Sequence, residues 1–439
     1  MNAATLARIQ FGLSVGFHFI FPPLTLGLTL LIVIFEFLSL RAAGGDCRQV
    51  SSFLVRILAV VFAFGAGTGI ILPLAFGMNW SRFSAFAGGF FGLPLTLETV
   101  TAFSLESVFL GILVFGRRRV SPTVYFISAV CVFIGSHLSA FWIVAANSWM
   151  QSPAGVEVSG GAVVLVDFWR ALFNPSTGIR FLHVLVASWI TGGVLAGGIA
   201  AWLLYKGRDA AQAKKLLAFS AVLVLVTTIA QPVVGHQQIL QVARNQPVKD
   251  AAYEGIFTST ERAPLYLLGV PDQANHTIHF AAGVSDLLSL LETGNVHARF
   301  RGLNDYPEAD WPPVNVIFTT FHLMVLIGFF LIAASVITFA LLRRRTIEKH
   351  RNYLLFLVFL IPLPHLANEL GWIGSEMGRQ PWVVYGLLRT ADANSAAVSA
   401  PLVAISLALL AALYIGLTVL FVRILGRVVR GGMTGEERQ

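Results

Sequence analysis

Hydrophobic residues in this chain rarely alternate with polar ones; they gather into runs long enough to cross a bilayer. The runs fall near residues 13 to 39, 53 to 77, 93 to 115, 124 to 146, 180 to 204, 216 to 240, 314 to 342, 352 to 375 and 398 to 424. A helix rises about 1.5 Å per residue, so roughly 20 apolar residues cross the hydrocarbon core. The pattern predicts an all-α integral membrane protein, nine transmembrane helices in one bundle, as a single domain over residues 1–439. One long polar connection, residues 241–313, interrupts the series, and a connection of that length is functional or disordered rather than a mere link.

Composition agrees with the pattern: 56% of residues are hydrophobic and 12% charged, with a mean hydropathy of +0.76. The net charge of +8 raises nucleic acid as a partner, but the basic residues sit at helix ends. Most lie in one set of loops: Arg41, Arg48 and Arg56; Arg117 to Arg119; Lys206, Arg208, Lys214 and Lys215; Arg343 to Arg345, Lys349 and Arg351; and Arg423, Arg427, Arg430 and Arg438. The positive-inside rule then places the C-terminus in the cytoplasm, and the N-terminus and residues 241–313 outside, and it leaves no role for nucleic acid. Cys47 and Cys131 are too few and too far apart for a disulfide framework or a cysteine metal site. The N-terminus lacks a cleavable signal pattern, so the first span is expected to be retained. The pattern shows neither an internal repeat nor a pair of broken spans, which disfavours an inverted-repeat transporter.

A charge at the centre of a membrane helix costs about 2.5 to 3.5 kcal/mol on insertion scales, so each one needs a partner or a task. His18, Glu98, Glu106, His183 and the pair Glu369 and Glu376 stand out. His18, a few residues into its span, and His183 are each read equally well as an iron ligand or as a histidine bonded to a backbone carbonyl. The glycines that follow His183 suit close approach of a flat cofactor or, more commonly, of another helix. Met324 is a possible thioether ligand, although a methionine on an apolar helix is usually core, and His322 lies about 200° around the same helix. His365, Glu369, Trp372 and Glu376 are spaced 4, 3 and 4 along one helical face, with Arg379 and Gln380 following. That stripe suits an iron ligand, a proton acceptor and a propionate-binding cation, with a salt-bridge network as the static alternative. Glu98 and Glu106, about 12 Å apart along a helix, have the spacing of a proton relay; a glutamate bonded to Ser107 or Ser139 is the plainer reading.

The stretches GLPLTLETVTAFSLESVF, GSHLSAFWIVAANSWMQ and GWIGSEMGRQPW, in that order, resemble subunit I of the cytochrome bd quinol oxidases, and the resemblance runs from about residue 5 to residue 425. It implies a heme-containing quinol oxidase of the bacterial inner membrane that reduces O2 to water with protons from the cytoplasm. It implies that His183 and Met324 hold a low-spin heme b, and that His18 and Glu376 each ligate one iron of a high-spin pair, a heme b and a heme d or a further heme b. Trp372, Glu369, Arg379, Gln380 and Arg8 are then cofactor-binding. Glu98, Glu106, Ser107 and Ser139 are the proton pathway, and Lys249 and Glu254 bind the quinol. The implied partners are a second membrane subunit and small accessory chains.

The match departs from the family in three places. His322 stands where the best-known members have Arg beside the methionine; the outer loop is of the short kind; and residues 232–247 match poorly. Two further readings accompany the oxidase: a non-oxidase electron-transfer protein of the same fold, and a heme-free ion or solute transporter using the acidic stripe.

Overall fold

The computed structural model describes residues 2–41, 45–395 and 399–434, so Arg438 lies outside the described residues. Among them, nine helices are long and apolar enough to cross a membrane: Ala3–Arg41, Gly45–Asn79, Ser81–Phe115, Pro122–Gln151, Thr177–Tyr205, Ala210–Asn245, Val314–Arg343, Arg351–Met377 and Ala400–Gly431. The nine spans match the count expected from hydropathy, and most of the helices run further than the apolar runs. The extra turns project at both ends of the bundle; the end that bears residues 246–313 is here called the outer end.

Four spans are interrupted, against the expectation of unbroken helices. The first breaks at Ile20 and the second at Ile70. The third passes through a wide π turn at Glu98–Phe103, and the eighth breaks between Phe359 and Leu363. Proline explains each: Pro22, Pro73, Pro94 and Pro362 lie at or within a few residues of the breaks, where a missing N–H and a ring clash disrupt the ladder. His18, expected near the outer end of its span, therefore lies fifteen residues into a longer helix, just before the break.

The fifth span runs through the middle and packs on the first, fourth, sixth and eighth. A Cβ on Gly27 of the first span would lie 2.6 Å from the Cα of Gly192, so these two helices cross backbone to backbone. Gly193 meets Val224, and Gly198 meets Ile361. The glycines after His183 thus serve helix packing. At the far end, buried Glu36 pairs with Arg117 at 2.6 Å and accepts from Ser51, tying the first three spans together.

The outer connection is ordered. The sixth span continues through Pro232 to Asn245, then comes a short helix Pro247–Glu254, a hairpin of Leu265–Asp272 and Thr277–Val284, and a helix Leu287–Thr293. The loop therefore begins at 246 rather than 241, because the amphipathic end of the sixth span stays helical outside the apolar run.

Candidate functional site

The eighth span organises the site because its two faces differ. Gly371, Gly374 and Gly378 form one face. A Cβ on Gly371 would stand 2.7 Å from the Met324 sulfur, one on Gly374 would stand 3.3 Å from the Tyr253 ring, and one on Gly378 would stand 2.8 Å from the Lys249 Cε. The seventh span and the short outer helix therefore seat directly on backbone. The opposite stripe carries Glu369, Trp372 and Glu376. Glu369 and Trp372 reach the first span at Gly16, two residues before His18.

Glu376 lies at the centre of a polar knot. Its Oε2 accepts from Arg379 at 2.5 Å, and its Oε1 accepts from Asn147 at 2.9 Å and from Gln151 at 3.4 Å. Arg180 joins by donating to Asn147, to Ser148 at 3.1 Å and to the Ser375 hydroxyl at 3.1 Å. Arg379 is 4% exposed, yet its Nε and Nη1 have no partner among the described residues. Gln380 instead accepts from Thr390 at 2.8 Å. Arg8 is exposed on the N-terminal helix, ten residues from His18, so the structure does not bring it to this cluster.

His18 is oriented by a neighbour. The Thr68 hydroxyl gives its proton to the Phe64 carbonyl at 2.8 Å, so it accepts from His18 Nδ1 at 3.0 Å. The proton then resides on Nδ1 and leaves Nε2 with a lone pair, the tautomer a metal needs. His183 is approached by the Gln231 amide nitrogen, 3.2 Å from Nε2 and 3.4 Å from Nδ1, and the Oε1 of Gln231 is buried without a donor. His183 and Met324 sit on the two spans that flank the sixth. His322 points away from both: its Nδ1 lies 2.8 Å from the Phe318 carbonyl and its Nε2 2.8 Å from the Tyr266 carbonyl of the hairpin. Each ring nitrogen faces a carbonyl oxygen and the one that carries the proton donates, so His322 packs between the hairpin and the seventh span and is not placed as a ligand.

Do these residues fit hemes? Among the described residues no group of three or more His, Cys, Asp or Glu side chains is arranged to hold a metal ion. An iron held here has to bring most of its ligands, as a macrocycle does. A free imidazole lone pair, a thioether and a carboxylate with spare lone pairs could each ligate a heme iron, and the unpaired Nε and Nη1 of Arg379 could hold a propionate. They fit.

On the third span, Glu98 accepts from Ser139 at 2.7 Å, and Glu106 packs against Gly135 one turn further along the fourth span. The π turn that begins at Glu98 adds backbone between the two acids, which an ideal helix did not anticipate. Ser107 does not join them: its buried hydroxyl has no partner among the described residues.

Lys249 and Glu254 were expected to act side by side. They lie about 140° apart around the short helix, and the structure separates them. Lys249, 2% exposed, donates to the Ser375 carbonyl at 3.0 Å and to Gln151 at 3.1 Å. Burial pushes its ammonium well below the usual lysine range. Glu254 turns the other way, stacked one turn from Asp250, and burial with the nearby Glu292 carboxylate lifts it to about 8.

Residues that the sequence did not single out complete the knot. Asn147 and Gln151 lie inside the second signature stretch but were given no role. Arg180 reads from sequence as an ordinary interfacial charge; the signal was its place three residues before His183, at the mouth of a span on the side poor in basic residues.

The family model described as cytochrome bd terminal oxidase subunit I matches residues 6–433. The protein named cytochrome bd ubiquinol oxidase subunit 1 of Bacillus subtilis (strain 168) is 32% identical over 442 residues, covering 98% of this chain and 94% of its own. Cytochrome bd-II ubiquinol oxidase subunit 1 of Escherichia coli (strain K12) is 31% identical over 477 residues, with 93% of each chain covered. A solved structure of bd oxidase from Geobacillus thermodenitrificans superposes with a TM-score of 0.92 at 31% identity, over 98% of this chain and 99% of that one.

Proposed function

This chain belongs to the cytochrome bd terminal oxidase subunit I family, and from that membership we propose that it oxidises quinol at its outer end and delivers the electrons to O2. It is a multi-pass protein of the bacterial cytoplasmic membrane, in a family that carries hemes and works with a second subunit. The observation that supports this reading best is the join between loop and bundle: Lys249 donates to the carbonyl of Ser375, the residue before Glu376. The quinol segment, the helix of Glu376 and the Met324 sulfur thereby form one packed unit.

Bound hemes supply the electron carriers and the iron at which oxygen is reduced. We assign His183 and Met324 to a low-spin heme b, and His18 and Glu376 to a high-spin pair, one heme b with a heme d or a further heme b. Thr68 keeps the His18 proton on Nδ1. Arg379 neutralises Glu376 and offers its remaining N–H groups to propionates, while Trp372 and Glu369 line the face toward His18. Glu254 takes the proton of a quinol hydroxyl, and the buried Lys249 anchors the segment. Glu98, Glu106 and Ser139 carry protons inward from the opposite, cytoplasmic face. Protons leave on one side and are consumed from the other, so turnover contributes to the proton motive force without a pump.

A reduced-minus-oxidised absorption spectrum of the chain purified with its second subunit tests the reading. Heme bands are expected, together with oxygen uptake on adding reduced quinol. A spectrum without heme bands contradicts it. Heme bands without oxygen uptake favour the non-oxidase electron-transfer protein.

A further inference from the structure

Three buried carboxyl groups meet behind the short outer helix. Asp250 and Glu254 stand four residues apart, on one face and one turn from each other. Glu292, from the helix Leu287–Thr293, comes from across the hairpin and shares a hydrogen bond with Asp250. Asp250 is 4% exposed and Glu254 3%. Oδ1 of Asp250, Oε1 of Glu292 and Oε2 of Glu254 take no donor from the rest of the described chain. No Lys, Arg or His pairs with any of the three among the described residues. The titratable groups facing them are one another, Tyr253 on the same helix, and Tyr306, which follows the turn Leu303–Asp305.

Two carboxylates without a cation cannot face each other charged, so the Asp250–Glu292 pair holds a proton between its oxygens. A structural pair of this kind is costly, since burial without a counter-charge stabilises nothing. Its position gives it a use. Glu254, buried with an unpartnered oxygen of its own, adjoins the pair on one side; on the other, Glu292 is half-buried.

We propose that Asp250 and Glu292 are the exit relay for protons that leave quinol through Glu254. The proposal rests on the reading of Glu254 as the quinol's proton acceptor. In each step the quinol O–H bond breaks and its proton joins the Glu254 carboxylate, while the electron leaves along the oxidase's own chain. Glu254 passes a proton to the pair, and the pair gives one to water at Glu292, so each group returns to its starting charge. Asp250 and Glu292 touch no substrate atom and act through Glu254. Glu254, raised to about 8, and Glu292, raised to about 7, titrate close to one another and to ordinary pH, so the transfer outward is uphill by only about one unit and is drawn on by release to water.

The test is Glu292→Gln and Asp250→Asn in the assembled oxidase, with oxygen uptake measured from pH 5.5 to 9. Two donors are compared: a short-chain ubiquinol, and tetramethyl-p-phenylenediamine, which gives an electron without a proton. Each variant is expected to lower the quinol kcat about tenfold at pH 7 with KM within about twofold. In Glu292→Gln the acid limb moves to lower pH, because the charge that lifts Glu254 is gone, while the rate with the proton-free donor and the heme spectrum stay as in the parent. Quinol rates and pH profiles equal to the parent's overturn the relay, as does an equal loss with both donors. If Asp250→Asn fails to assemble, the half-buried Glu292→Gln decides alone. Failure of the parent itself to oxidise quinol contradicts the oxidase reading instead.

Discussion

Lys249 Nζ lies 3.0 Å from the carbonyl oxygen of Ser375, which couples the outer helix to the span carrying Glu376. Replacing Lys249 by Met keeps the stem on Gly378 but leaves the Gln151 amide oxygen without a donor, while the Ser375 carbonyl keeps the Gln151 amide nitrogen at 3.3 Å. An unsatisfied buried acceptor costs about 1 to 3 kcal/mol. Lys249→Met is therefore expected to lower kcat/KM for quinol by tenfold or more, measured by oxygen uptake, with the heme content of the purified complex unchanged.

Met324 and His322 make separable predictions. Met324→Leu removes the sulfur against Gly371 and is expected to alter the low-spin heme spectrum. His322→Leu is expected to leave that spectrum intact while freeing the Tyr266 carbonyl, so that limited proteolysis cuts within residues 265–284 faster than in the parent. An altered spectrum in His322→Leu alone reverses the assignment.

Ser139 gives Glu98 its one close donor on the fourth span. A hydrogen bond to a charged group is worth about 1.5 to 3 kcal/mol. Ser139→Ala is expected to slow oxygen reduction roughly tenfold, and Glu98→Gln to slow it further, both read as turnover with excess quinol. Ser107→Ala is expected to have little effect, since its hydroxyl contacts neither acid.

Glu254 sets a pH dependence. Its carboxyl titrates near 8 in the folded chain against an ordinary value of 4.5, so below 8 it is mostly protonated and cannot accept. Quinol oxidation is expected to rise with pH up to about 8, and Glu254→Gln to abolish that limb. The sign for stability is opposite. Between 4.5 and 8 the folded state binds more protons than the unfolded chain, so the outer segment loses stability as pH rises through that window. Hydrogen exchange of the short helix at several pH values checks it.

The nine spans were legible because hydropathy runs are a direct imprint of the bilayer. Their ends were not, since amphipathic turns such as those after Ser81 and up to Asn245 carry no membrane signal. The breaks in four spans were marked by Pro22, Pro73, Pro94 and Pro362, yet a proline in an apolar run does not say whether neighbours will bridge the gap. Within the site, Glu376 with Arg379 was visible in one local motif, whereas the sequence offered either Ser107 or Ser139 to the acids of the third span and the pairing of Glu98 with Ser139 crosses two spans. Lys249 and Glu254 shared a motif but not a direction, because five residues of helix turn them apart. The pairing of Asp250 with Glu292 depends on how the hairpin folds back, which no local spacing encodes.

Proton release measured together with oxygen uptake in right-side-out vesicles bearing the assembled oxidase tests the central claim most directly. Adding quinol is expected to acidify the outside in step with the electrons that reach oxygen, and Glu254→Gln to suppress both together. Oxygen uptake without external acidification, or acidification without oxygen uptake, would contradict the account.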